Sequence, residues 1–105
     1  MTSKFKIAVL GIGGVGGYIG GKLAARYENS NDAEIIFFAR GENEKAIASN
    51  GLKLITSQGV QIVHPFLVTS RPEEAGSLDL IICTVKSYDL ETSIASLRSC
   101  INDKT

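Results

Sequence analysis

Gly11-Ile12-Gly13-Gly14-Val15-Gly16 sets three glycines at the G-x-G-x-x-G spacing, directly after the apolar run Phe5–Leu10 and directly before a segment of helical periodicity. Residues of this type in this order bind anions with backbone rather than with side chains. Gly11 lets the chain leave a strand in a tight turn that a Cβ would obstruct. Gly13 lets the backbone approach a pyrophosphate, and Gly16 lets the following helix pack closely on the strand. The free N–H groups of the first helical turn then face the anion, helped by about half a positive charge from the helix dipole. Two cations stand at equivalent places further on. Arg40 follows the Ile- and Phe-rich run at residues 34–39, and Lys86 follows the apolar run at residues 78–85. Together they predict a dinucleotide site built from backbone N–H groups and two basic side chains.

The elements that must position these residues are legible in the periodicity. A strand at Phe5–Leu10 is nearly all apolar after Lys6, as a parallel strand buried on both faces would be. A helix over residues 14–28 carries Val15, Tyr18, Ile19, Leu23 and Tyr27 on one side, with Gly17, Gly20 and Gly21 as packing glycines. A polar loop, Asn29-Ser30-Asn31-Asp32, precedes the second strand at residues 34–39. A short helix over residues 42–49 is expected to stop at Asn50-Gly51 in a left-handed conformation. Leu52–Thr56 and residues 60–66 read as a hairpin around Ser57-Gln58-Gly59. Ser70-Arg71-Pro72-Glu73 has capping-box spacing and predicts a brief helical turn. A buried-type strand at residues 78–85 follows, then a helix with Leu90, Ile94, Leu97 and Ile101 along one stripe. The order βαβα, hairpin, βα predicts an α/β fold: a mainly parallel sheet with helices on both faces. Ligands of such sheets lie outside the carboxyl ends of the strands, where the glycine loop, Arg40 and Lys86 converge.

Composition bounds what this site can serve. The chain has 105 residues, 11 basic and 11 acidic, for a formal net charge of zero. No basic block points to nucleic acid or an anionic membrane. The apolar runs are strand-length, short of the roughly 20 residues a membrane span needs. Thr2-Ser3-Lys4 leads straight into a strand without a signal-peptide pattern, so a cytoplasmic protein is expected. Cys83 and Cys100 read as structural thiols. One histidine, His64, with no cysteine or acidic cluster around it, makes no metal site, and no role is assigned to it.

The choice of cofactor turns on the end of the second strand. NAD-preferring sites usually place there an acidic residue that accepts from the ribose 2′-hydroxyl. Ala39-Arg40-Gly41 stands there instead, and a guanidinium can pair with a 2′-phosphate through a planar, charge-assisted fork. NADP(H) is therefore the expected cofactor, with Glu42 leaving NAD as the alternative. Ser87 and Asp89 read as helix-start residues, Tyr88 as packing or covering the cleft, and Asp79 as shaping the turn into its strand.

Taken together, these segments resemble the amino-terminal domain of the ketopantoate reductase (2-dehydropantoate 2-reductase) family. The resemblance rests on Lys6-Ile7-Ala8-Val9-Leu10-Gly11-Ile12-Gly13-Gly14-Val15-Gly16-Gly17, Phe38-Ala39-Arg40-Gly41 and Asn50-Gly51-Leu52-Lys53-Leu54. It continues in Asp79-Leu80-Ile81-Ile82-Cys83-Thr84-Val85-Lys86-Ser87-Tyr88-Asp89. It implies a Rossmann-like NADP-binding domain over residues 1–105, in an oxidoreductase that reduces the ketone of 2-dehydropantoate on the route to pantothenate and coenzyme A. It implies pyrophosphate binding by Gly11, Ile12, Gly13, Gly14, Val15 and Gly16, a 2′-phosphate role for Arg40 and a cofactor contact for Lys86. The family continues past this region with an asparagine loop near the nicotinamide and then a helical domain that supplies its general-acid lysine and further substrate-binding residues, so the resemblance implies no catalytic residue here. The chain is expected to be a piece of a longer reductase, inactive by itself, with an uncovered sheet edge prone to self-association. The rival readings are a non-catalytic NAD(P)-sensing module and the cofactor domain of another NADP-dependent 2-hydroxy acid dehydrogenase.

Overall fold

Strand β1 (Phe5–Leu10) lies inside a parallel sheet, between β2 (Ala33–Phe38) and β6 (Leu80–Cys83), with β5 (Leu67–Thr69) on the far side of β2. The computed structural model describes residues 4–11, 14–28, 30–84 and 90–105, and of residues 14–16 and 90 the backbone alone. The sheet order β5-β2-β1-β6 is, counted in chain order within this sheet, the 3-2-1-4 arrangement that opens a doubly wound, Rossmann-like sheet. A separate antiparallel hairpin, β3 (Leu52–Thr56) with β4 (Gly59–Val63), follows α2 (Gly41–Asn50).

Both sheet faces are covered, which is why the strands read as continuous apolar runs rather than alternating ones. Ile7, Val9, Ile35 and Phe37 point to one side, into a cluster with Ala24 of α1 (Gly14–Tyr27), Ile47 of α2, and Leu54 and Val63 of the hairpin. Ala8, Leu10, Ile36 and Phe38 point to the other, against Ala75, Leu78, Leu97 and Cys100. Each fully buried Val, Leu, Ile or Phe contributes about 1.5–3 kcal/mol.

Helix α1 packs with part of the face its large apolar residues predict, Leu23 and Tyr27 lying against the core cluster, but Tyr18 is turned out and small residues take its place. Tyr18 is 53% exposed, while Ala24 is 1% exposed and Gly20 and Gly21 are buried. The hairpin causes this. A Cβ on Gly21 would sit 3.0 Å from Leu54 Cδ1 and 3.5 Å from Leu52 Cδ2, so the helix meets the hairpin leucines with its small residues. Gly17, expected to pack as well, has open space around its Cβ position among the described residues.

The segment at residues 60–66 is not one strand. Strand β4 ends at Val63, and Pro65, which has no N–H to donate, breaks the ladder. The Phe66 N–H then bonds to Ile35 O at 2.8 Å, and the chain joins the main sheet as β5, parallel to β2. Three residues are too few for periodicity to announce such a strand. The capping box after β5 does not form either. Arg71 stands at the N-cap of the 3₁₀ turn Pro72–Glu74 without a side-chain capping bond. Buried Thr69 organises the turn instead, its hydroxyl accepting from Arg71 N–H at 3.0 Å and donating to the Glu74 carboxylate.

The final helix, α3 (Leu90–Ser96), is shorter than its apolar stripe. From Leu97 onward the N–H groups bond three residues back, Cys100 to Leu97 at 2.8 Å and Ile101 to Arg98 at 3.2 Å, and this tighter winding rotates the stripe. Leu97 and Cys100 are buried at 1%, whereas Ile94 is 39% exposed and Ile101 is exposed. The Cys100 thiol donates to Pro72 O at 3.2 Å, and both cysteines are free, as structural thiols should be.

Gly51 ends α2 with its N–H on Ile47 O at 2.8 Å, but at φ 78° and ψ −176° rather than in the left-handed helical conformation. That extended ψ sends the chain straight into β3, and only glycine adopts it without strain. A Cβ there would also lie 2.8 Å from both Val63 O and Ile62 Cγ2. Gly51→Ala is expected to destabilise the fold by at least about 2 kcal/mol in urea unfolding; an unchanged midpoint would contradict this geometry. On the last helical segment, Leu97→Ala should cost about 2–5 kcal/mol and Ile94→Ala under about 1 kcal/mol. Equal losses would restore the single apolar stripe.

Candidate functional site

A cleft of about 550 Å³ opens at the carboxyl ends of β1, β2 and β5. Leu10 and Gly11 border it from β1, and Phe38, Ala39 and Arg40 from β2. Ser70 and Pro72 border it from the end of β5, and Thr92, Ser93, Ser96 and Leu97 from the α3 side. From β1 the chain crosses to β2 on one side and later to β6 on the other, so strand order reverses beside Gly11. Doubly wound sheets bind ligands at this switch point.

Gly11 leaves β1 at φ 92°, a conformation that L side chains rarely adopt, so the first glycine of the motif is required by the backbone it has. Gly14, Val15 and Gly16 begin α1, while Ile12, Gly13 and Lys86 lie outside the described residues, as do Ser87, Tyr88 and Asp89. The structure thus brings Gly11 and Arg40 to one cleft.

Arg40 is exposed and extended at φ −131° and ψ 158°, as the N-cap residue of α2. Among the described residues its guanidinium has no ion pair. The helix behind it is held in place from β5, because the Ser70 N–H donates to Glu44 Oε2 at 3.0 Å. Glu42, in the same first turn, is exposed beside it. Outside the cleft lining, in the 3₁₀ turn, Glu73 has its carboxyl held below the usual carboxylate range by its own backbone N–H and then by the Arg71 guanidinium, 3.4 Å away. That pair is fully solvated and stands as surface electrostatics.

Two threonines that the residue patterns did not single out brace the strand ends beside the cleft, and Asp79 ties the opposite end of β1. Besides Thr69, Thr84 joins the end of β6 to the end of β1: its hydroxyl lies 3.0 Å from Leu10 O and 2.8 Å from Gly11 O. At the other end of β1, Asp79 Oδ2 accepts from the Lys6 N–H at 2.7 Å, and Asp79 N–H returns a bond to Lys6 O at 2.9 Å. A polar residue flanking a buried strand was the available signal in each case. His64 lies away from the cleft, where its N–H donates to Glu28 Oε1 at 2.7 Å. Among the described residues no cluster of His, Cys, Asp and Glu could hold a metal, and no helix is long and apolar enough to cross a membrane.

The family model for ketopantoate reductase PanE/ApbA matches residues 7–105. The chain belongs to the ketopantoate reductase PanE/ApbA family. A 2-dehydropantoate 2-reductase of Mesorhizobium japonicum is 30% identical over 100 residues, covering 95% of this chain and 29% of that protein. An uncharacterised oxidoreductase of Bacillus subtilis, YkpB, is 32% identical over 95% of the chain and 31% of its own length. The crystal structure of 2-dehydropantoate 2-reductase from Porphyromonas gingivalis superimposes with a TM-score of 0.87 at 39% identity, covering 98% of this chain and 37% of that one. A D-mandelate dehydrogenase solved with NADH and anilino(oxo)acetate, at 22% identity and a TM-score of 0.75, shares the fold alone. This ketopantoate reductase family chain spans about a third of the length of these relatives.

Proposed function

We propose that this chain is the NADP(H)-binding domain of an oxidoreductase that reduces the ketone of a 2-keto acid, 2-dehydropantoate, by hydride transfer. The observation that carries the cofactor choice is Arg40, an exposed cation at the carboxyl end of β2, bordering the same cleft as Gly11. In this reading Gly11 and the residues after it, through Gly16, hold the pyrophosphate, Arg40 pairs with the 2′-phosphate, and Lys86 contacts the cofactor. A guanidinium forms two parallel charge-assisted bonds to a phosphate, whereas a carboxylate at that place would repel it. The cofactor supplies the hydride. The residues of this chain bind and orient it, with the buried sheet beneath keeping the cleft floor rigid.

The reactions named for the relatives support the substrate, and their greater length supports a division of labour. Protonating the developing alkoxide requires a group within hydrogen-bond reach of the carbonyl oxygen, and we place that group and the substrate carboxylate's partners outside residues 1–105. A role in pantothenate synthesis in the cytoplasm follows from the same reading. Glu42 beside Arg40 favours NAD as the second reading, since a carboxylate there can accept from a ribose 2′-hydroxyl.

Calorimetric titration separates the two cofactors. Arg40→Asp is expected to weaken NADPH binding at least about tenfold, the loss of a charge-assisted phosphate pair, and to leave NADH binding within a few-fold. Equal losses for both would remove the 2′-phosphate role. The 105-residue chain mixed with NADPH and 2-dehydropantoate is expected to show no decline in absorbance at the nicotinamide band. Steady turnover would overturn the placement of the proton donor elsewhere.

A further inference from the structure

Thr84 follows the last residue of β6, and its backbone N–H closes the β1–β6 ladder on Leu10 O at 2.9 Å. Its hydroxyl then reaches one residue further along β1's exit, to Gly11 O at 2.8 Å, while also lying 3.0 Å from Leu10 O. The hydroxyl has one proton to donate. Leu10 O already accepts from the Thr84 N–H, so the bond the side chain adds is the one to Gly11. We infer that Thr84 is a positioning residue for the dinucleotide site, its hydroxyl holding the first glycine's carbonyl and so orienting the peptide by which the phosphate-binding loop leaves β1. The inference rests on the reading of that loop as the pyrophosphate holder.

Three observations support a role in the loop rather than in the sheet. The register pairs Ile7 with Leu80 through Leu10 with Cys83, so the ladder is complete before the hydroxyl is counted. Gly11 stands at φ 92° and has no Cβ, so the backbone at the loop entry has unusual freedom unless something restrains it. The peptide group is planar, so fixing one carbonyl oxygen fixes the plane in which the chain departs. A loop already in its binding orientation loses less entropy when an anion arrives. Thr84 is half-buried, so its hydroxyl competes with water less than a surface side chain's would.

Thr84→Val keeps the branched shape and removes the hydroxyl, and Thr84→Ser keeps the hydroxyl. Binding is measured with NADPH and with adenosine 2′-phosphate, which lacks the pyrophosphate. Thr84→Val is expected to weaken NADPH about five-fold, the worth of one hydrogen bond. Thr84→Ser should restore most of that affinity, and adenosine 2′-phosphate should bind all three proteins alike. Thr84→Ala carries the same comparison if valine disturbs packing. Unchanged NADPH binding in both variants without the hydroxyl, or equal losses for the two ligands, would overturn the positioning role. A parent protein that binds adenosine 2′-phosphate but gains nothing from the rest of NADPH would instead overturn the pyrophosphate reading, and this inference with it.

Discussion

Every feature of the site depends on β1 being buried on both faces in the middle of the sheet. Ala8 and Val9 are completely enclosed, with β2 on one edge and β6 on the other. A strand so placed cannot shift along its neighbours without leaving ladder groups unpaired and moving apolar side chains to the wrong face. Its two ends are tied as well, by the reciprocal bonds of Asp79 and Lys6 at the start and by Thr84 at the exit. The glycine turn therefore departs from a fixed point.

In the reading proposed above, that rigidity is what would let a site made largely of backbone be selective. The cleft lies over three strand ends whose relative heights are set by the register Leu10↔Phe38 and Phe38↔Thr69. Arg40 is two residues beyond Phe38, and α2 behind it is braced by the Glu44 bond to Ser70. A charged side chain thus stands at a set height from the loop although it is itself solvated. The hairpin contributes from the opposite face, where Leu52 and Leu54 lie on Gly21 of α1 and fix the axis of the helix that begins at the loop.

The outer face of the hairpin shows what the site does not use. Ile55 and Val60 are cross-strand partners and are 65% and 62% exposed. Strands β5 and β6 are the sheet's edges among the described residues.

Much of this was legible in the chain itself. The long apolar run at Phe5–Leu10, the glycine spacing and Arg40 after an Ile- and Phe-rich strand specify a parallel strand, a glycine turn at its exit and a cation at the switch point, because each follows from local sterics and from burial on two faces. What local pattern could not decide was partnership. Three residues at Leu67–Thr69 became a strand because β2 offered a free edge after Pro65 broke the hairpin. Helix α1 turned its glycines inward because the hairpin leucines occupied that side, and Tyr18 was left outside. Thr84 became a clamp because the crossover brings it beside Gly11, 73 positions away in the chain. Backbone conformation is set mainly by each residue and its neighbours, whereas the acceptor a hydroxyl finds is set by which strands the fold makes adjacent.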